Sequence, residues 1–354
     1  MSDQVPQARE SATDLLEVAP VEEKAATPKA FIGKSPGQLA WARLRTDRTA
    51  RTTIWILGFF AFIAIFADVL EWIYNLPIFG SGTITPTSLG SDLLDQRGIP
   101  LGYVGGITFS SDNPTKHAHI LGVMPQTGQD IFLQLIYGAR TSLVIAASAT
   151  VLAVILGIVV GVMAGYFGGW IDQVLSWFVD YMLAFPFLLM AIAIIPIVNT
   201  RLEDEHQFVD PWKRIATIIA IFALFGWMGT ARLVRGQVIS LREREYVEAA
   251  RAAGASSSHI MFRQILPNLW APILVTFSLS LPATVVGEAA LSFIGIGVVQ
   301  PTPDWGRMIN HSVDFMQSTP AYLIFPGVSI VVLVLAFNMY SDSLRDALDP
   351  KSSR

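Results

Sequence analysis

Apolar residues run through this chain in six long blocks separated by polar stretches. A helix crossing a hydrocarbon core of about 30 Å needs about 20 predominantly apolar residues. That template fits Ile54 to Tyr74, Leu143 to Ala164, Val174 to Val198, Ile215 to Leu233, Leu269 to Ile296 and Tyr322 to Tyr340. Between the first two blocks, Asn75 to Arg140 is rich in Gly, Ser, Thr, Pro and Asp, with Leu93, Leu94, Ile99, Leu101, Tyr103 and Val104 interspersed. This predicts a small, partly ordered subdomain outside the bilayer. At its end, Ile131, Leu135 and Ile136 predict a short amphipathic helix before the second span, either lying at the interface or acting as a connector. Residues 1–34 hold too few large apolar groups to offset their ordering entropy and are expected to be a disordered tail. The first apolar run begins after Arg51 and is too long for a cleavable signal core.

One polar stretch has a helical pattern of its own. In EYVEAARAAGASSSHIMFRQILPN, from Glu245 to Asn268, Tyr246, Ala249, Ala250 and Ala253 recur at one helical face, with Arg244, Glu248 and Arg251 on the other. Gly254 supplies the backbone freedom that ends this helix, and Ser256 to Ser258 can cap a second one. Pro267 suits the start of the fifth span, where its missing N–H costs little. A small apolar face of this kind permits close docking of a soluble partner. Six spans put both termini on one side, and seventeen of the 24 Lys and Arg residues lie there together with this loop. The bias favours cytoplasmic termini and a cytoplasmic loop.

Composition narrows the class. The chain is 52% hydrophobic and only 15% charged, with a mean hydropathy of +0.50, which marks an all-α integral membrane protein. A net charge of −4 without a basic stripe argues against nucleic acid as a partner. The absence of cysteine excludes disulfides, thiolate metal sites and a thiol nucleophile. No Gly-rich loop ends in Gly-Lys-Ser or Gly-Lys-Thr, so no nucleotide-hydrolysing site is expected in this chain. His117 and His119 are too few for a closed zinc site. Neither metal nor cofactor is therefore expected in this chain, and no catalytic residue is assigned.

Within the spans, Gly157, Gly161, Gly165 and Gly169 recur every four residues and clear a strip for close helix packing, against a neighbour the sequence does not name. Glu288 lies among apolar residues of the fifth span, either lining a translocation path or gate or anchoring structure by hydrogen bonds. Pro272 and Pro282 predict a kinked fifth span, with Pro282 a second candidate for the path wall. Pro186 and Pro196 make the third span irregular, and Asp172 and Asp180, two turns apart near its start, are expected to cap it or to pair with the Glu245 to Asn268 loop.

Glu248-Ala249-Ala250, Gly254, and then Ile265-Leu266-Pro267 resemble the cytoplasmic coupling loop of ABC importer permeases. LIYGARTSL from Leu135, DYMLAFP from Asp180 and GEAALSFIGIGVVQPTPDWG from Gly287 are similar to the C-type permease subunit of dipeptide, oligopeptide and nickel importers. The resemblance covers about Trp41 to Asp349 and departs at two places. Gln264 stands where that family has Ile or His, and HILGVMPQTGQD from His119 to Asp130 lacks the family's Thr-Asp and Arg.

The resemblance implies a type I importer permease fold of six transmembrane helices with an extended external segment between the first two. Its parts would be a lead-in and first span over 35–74, the external segment over 75–140, a core over 141–342 with a coupling loop at 243–267, and a cytoplasmic tail over 343–354. It further implies a bacterial or archaeal cell membrane, a homologous B-type permease, two cytoplasmic ATP-binding subunits that hold ATP and Mg²⁺, and an external substrate-binding protein. Tyr246, Glu248, Ala249, Ala250, Arg251, Ala253, Gly254, Ile265, Leu266 and Pro267 would then couple to an ATPase, and the cargo would be a peptide, or alternatively nickel or another small solute. A stand-alone secondary transporter or channel would show inverted repeats or rings of charge, and neither pattern is evident in this sequence.

Overall fold

The computed structural model describes residues 36–101, 117–202 and 210–349. The expected disordered tail over 1–34, and Tyr103 and Val104 of the external segment, lie outside the described residues. Five helices are long and apolar enough to cross a membrane, and a sharply bent pair makes up to six. Among the described residues strand pairing is confined to isolated bridges in the external segment, such as Gly80 with His117.

The chain enters through α1 (Pro36–Thr46) and turns at Asp47, whose carboxylate accepts the Thr49 amide at 2.9 Å and caps α2 (Arg48–Ile65). The first span thus starts six residues before the apolar block, because a cap and not hydropathy decides where a helix begins. It also stops short of Tyr74, since the helix breaks at Phe66 before α3 (Ala67–Tyr74). Beyond the break, Arg140 Nη1 donates to both Asp68 carboxylate oxygens at 3.0 Å, and the Tyr137 hydroxyl lies 2.9 Å from Asp68 Oδ1. These polar contacts tie α3 to the second span outside the apolar region.

The short amphipathic helix expected at Ile131 to Ile136 is not a separate element. It is the first turn and a half of α4 (Ile131–Phe167), a single helix of 37 residues. At 1.5 Å per residue that is about 55 Å, against a hydrocarbon core of about 30 Å. Asp130 caps the helix through the Leu133 amide at 2.9 Å; Ile131 and Ile136 are buried and Leu135 half-buried, with Ile131 among Phe60, Met124 and Trp305 instead of on a membrane surface. The external subdomain packs Tyr74, Ile84 and Leu133 together. The Tyr74 hydroxyl donates to the Ala118 carbonyl at 2.7 Å, and His119 Nδ1 lies 2.7 Å from Asp130 Oδ2.

The third span is two helices, α5 (Gly169–Leu183) and α6 (Phe187–Leu202), meeting at 83°. Pro186 supplies no amide to continue the first helix, so the break falls just before it. The fourth span, α7 (Pro211–Arg242), runs nine residues past Leu233 and takes up what the pattern suggested was loop. The fifth and sixth are α10 (Trp270–Phe293) and α12 (Pro320–Leu348), so the sixth span continues through the first six residues of the stretch expected as a tail after 342.

α4 and α7 form the tightest pair. A Cβ built on Gly157, Gly161 or Gly165 would lie 2.7, 2.6 and 2.8 Å from the carbonyl oxygens of Trp227, Ala231 and Arg235 respectively. The four-residue step of the glycines is matched by a four-residue step of carbonyls, the register of two interdigitating i±4 ridges. The neighbour of this strip is thus a helix of the same chain. Gly169 does not take part. It has φ +54 with nothing near its missing Cβ, and with Gly168 at φ +65 it makes the turn into α5.

Candidate functional site

The helix pair after α7 is short and is held from behind. Arg244, in extended conformation, starts α8 (Glu245–Ala252), and Gly254 at φ +81 ends it. The Gly254 and Ala255 amides return to the Arg251 and Ala250 carbonyls, both at 3.0 Å, which closes the helix end through a left-handed residue that only glycine adopts cheaply. Ser256 Oγ then accepts the His259 amide at 3.3 Å and opens α9 (Ser257–His259), which passes through a wider π-type turn at Ile260–Ile265 into a 3₁₀ turn at Leu266–Asn268. Pro267 stands in that turn, just ahead of α10 and not in its first residue.

Val247, Ile260, Ile265 and Leu269 are each at most 1% exposed and pack with Val162, Val234 and Val238 at the ends of α4 and α7. Val247 was not singled out by the sequence pattern, although it is the residue that fixes α8. The i, i+4 row through Val247 and Arg251 would have found it, had the charge of Arg251 not masked the row. Of the small face expected to be free, Ala250 is half-buried against this cluster, while Tyr246, Ala249 and Ala253 are exposed. Glu248, Arg251 and Gly254 are exposed as well. Phe262, an apolar side chain on the π-type turn, is 63% exposed. The outcome is a partly apolar knob with charges at its edge, packed at the end of α7.

The same end of the molecule carries ion pairs. Arg235 grips Asp172 through two hydrogen bonds, Nη2 to Oδ2 at 2.7 Å and Nε to Oδ1, and Arg232 Nη2 reaches Asp180 Oδ1 at 2.6 Å. The two acids of α5 therefore pair with α7, the helix that leads into the α8–α9 pair, and not with that pair itself. Arg242 Nη1 donates to the Gly165 carbonyl at 3.0 Å and ties the end of α7 to the end of α4.

Near the opposite end, Glu288 is 1% exposed and accepts the Ser292 hydroxyl at 3.0 Å. It faces the Asp304 carboxyl, which accepts the Ser142 hydroxyl at 3.4 Å and caps α11 (Trp305–Ser312) through the Arg307 amide at 2.8 Å. Pro282 is likewise enclosed. Neither side chain reaches the surface of the chain, where a path shared with another subunit would run. His117 Nε2 and Nδ1 lie 2.8 Å from the Tyr74 and Ala118 carbonyls, and among the described residues no group of three or more His, Asp or Glu is arranged to hold a metal.

Sequence comparisons identify the family. Residues 157–354 match the model of the binding-protein-dependent transport system inner membrane component, and residues 35–78 that of the N-terminal TM domain of oligopeptide transport permease C. The chain belongs to the binding-protein-dependent inner membrane permeases. The dipeptide transport system permease protein DppC of Alkalihalophilus pseudofirmus is 38% identical over 321 residues, 91% of this chain and 92% of that protein. The glutathione transport system permease protein GsiD of Salmonella typhimurium is 40% identical over 242 residues, 68% of this chain and 75% of that one. A chain of the MetNI methionine ABC transporter in an inward-facing conformation aligns with a TM-score of 0.49 and 18% identity, over 62% of this chain and 98% of that one. This permease is thus a multi-pass cell-membrane transport component of an ABC importer, as the C-type resemblance implied.

Proposed function

We propose that this permease carries peptides, in a complex where a second permease completes the path, an external protein delivers cargo and cytoplasmic ATPases bind the α8–α9 knob. The single observation that carries the coupling role is the exposed face of Tyr246, Glu248, Ala249, Arg251 and Ala253 on a helix whose other side is locked by Val247. A short helix with small side chains outward fits a groove, and a locked base passes the groove's displacement to α4 and α7 instead of absorbing it. Peptide cargo is favoured because dipeptide and glutathione permeases are relatives at this identity over most of the chain.

The mechanism is alternating access. Closure of the ATPases moves the knob, and the glycine-matched α4–α7 pair moves with it as one body. The bent α5–α6 segment, tied to α7 through Asp172 and Asp180, follows. Glu288 serves as an anchor between α10, α4 and the loop before α11.

Purification of the complex in mild detergent, with mass spectrometry and uptake of a labelled dipeptide, tests this reading. Glu248→Arg should insert normally, since the side chain is exposed, yet lose the ATPases and uptake together. Gly254→Val should do the same, because a branched residue at positive φ costs about 1–2 kcal/mol and reshapes the turn. A chain that purifies alone and still takes up peptide would make it a stand-alone transporter and remove the knob's role.

A further inference from the structure

Between α2 and α12 runs a groove that the transport reading does not use. Its lower part has a volume of about 420 Å³. Arg48, Thr49 and Thr52 line one end, and Ile56, Val332 and Leu335 line the body. A second cavity of about 400 Å³ shares Ile56 and Val332 with the first and continues along Trp55, Phe59 and Val328. The two therefore form one channel, cationic and hydroxylic at one end and apolar along the rest. From Arg48 to Phe60 is about 18 Å of helix, against about 15 Å for half of the hydrocarbon core.

The charge at the polar end is uncommitted. Among the described residues the Arg48 side chain has no hydrogen-bond or ion-pair partner, and Arg51, one turn on, has none either. The nearby acid, Asp47, is already engaged by the Thr49 amide and by Ser343. The apolar end is open sideways, because Trp55, Phe59, Val328 and Leu335 are each more than half exposed. Along α2, Arg48, Arg51, Trp55, Phe59 and Phe62 fall on one i, i+3, i+4 stripe, so the arginines head the same face that meets lipid.

We infer that this groove is a phospholipid site. The phosphate is held by Arg48 with the hydroxyl of Thr49, and one acyl chain lies between α2 and α12 past Ile56 and Val332. A guanidinium suits a phosphate because its planar donors match two oxygens at once. The apolar walls select a chain about one leaflet deep, and sharing of the site by α2 and α12 makes the lipid a filler of their interface. A helix of another protein would fill the apolar part but leave the arginine end without a counter-charge. The site is a property of the chain in any membrane and does not depend on which peptide is carried.

The test uses the full permease complex, purified in mild detergent and analysed by native mass spectrometry for retained lipid, after reconstitution in bilayers of phosphatidylglycerol or of phosphatidylcholine. Wild type should retain one tightly held phospholipid per permease. Arg48→Gln should lower that occupancy by about tenfold, the worth of one charge-assisted contact. Retention from phosphatidylglycerol alone would assign recognition of a net anionic lipid, whose phosphate charge no choline offsets, and equal retention from both the phosphate only. Val332→Trp, which fills the groove body without touching Arg48, should also displace the lipid. A photo-crosslinking residue at Val328 should capture lipid. Capture of another polypeptide there, or undiminished retention in both variants, would overturn the assignment.

Discussion

The carbonyl oxygen of Ala231 lies 2.6 Å from the place where a Cβ on Gly161 would stand. The two helices are thus as close as backbone atoms allow, and no side chain of either helix can shift enough to admit another carbon. Gly161→Ala should lower the thermal unfolding temperature in detergent, and Gly161→Val should cost about 3 kcal/mol or more by overpacking. Gly229, which faces open space on α7, is the control, and its change to Ala should leave stability unchanged or slightly raised. Equal effects at both positions would remove the packing role.

Asp172 and Arg235 form the best-connected ion pair between α5 and α7. Both side chains keep some exposure, 19% and 34%, so the pair is screened and contributes about 1 kcal/mol. A double-mutant cycle with Asp172→Asn and Arg235→Gln, read by thermal unfolding, should return a coupling of about that size. A coupling near zero would mean that α5 is held by packing alone, and its motion need not follow α7.

Glu288 discriminates anchor from path through two substitutions. Glu288→Gln keeps an acceptor for Ser292 and offers an amide donor to Asp304, so stability and uptake should stay near wild type. Glu288→Ala strands both partners in a buried site and should cost about 2–3 kcal/mol, with uptake falling only as far as assembled complex falls. A Glu288→Gln complex that is fully stable yet transports poorly would return the residue to the path.

The Tyr137 hydroxyl, and then Arg140, hold the Asp68 carboxyl below its ordinary 3.8. A depressed carboxylate pKa adds stability above the unfolded value and loses it as pH falls through the folded one. Unfolding of wild type and Asp68→Asn should therefore differ slightly at pH 6 and converge below about pH 3.8. The effect is small because the carboxylate is exposed.

Much of the architecture was legible because hydropathy reports which segments avoid water. The glycine strip and the turn at Gly254 were legible for a second reason, since glycine is required where no Cβ fits or where φ is positive. Direction and pairing were not. Pro186 announced a break but carries no information about its angle, so one apolar block became two helices at 83°. The short helix expected at Ile131 to Ile136 and the span expected from Leu143 are one helix, because a helix begins where its cap lies, and the cap is Asp130. The partners of Asp172 and Asp180 sit 63 and 52 residues away on α7, a separation that no local pattern encodes. Of the candidate coupling residues, exposure separated those that face outward from Ile265, which is fully buried and belongs to the support.

The uninterrupted length of α4 makes the two faces of the membrane parts of one object. A rod of about 55 Å that tilts by about 5° moves one end relative to the other by about 5 Å. It does so without breaking a backbone hydrogen bond along its length. Asp130 stands at one end and the carbonyl that holds Arg242 near the other. A small lean at one end therefore arrives at the other as a displacement about as large as a side chain, and a load at that end can press back along the same shaft.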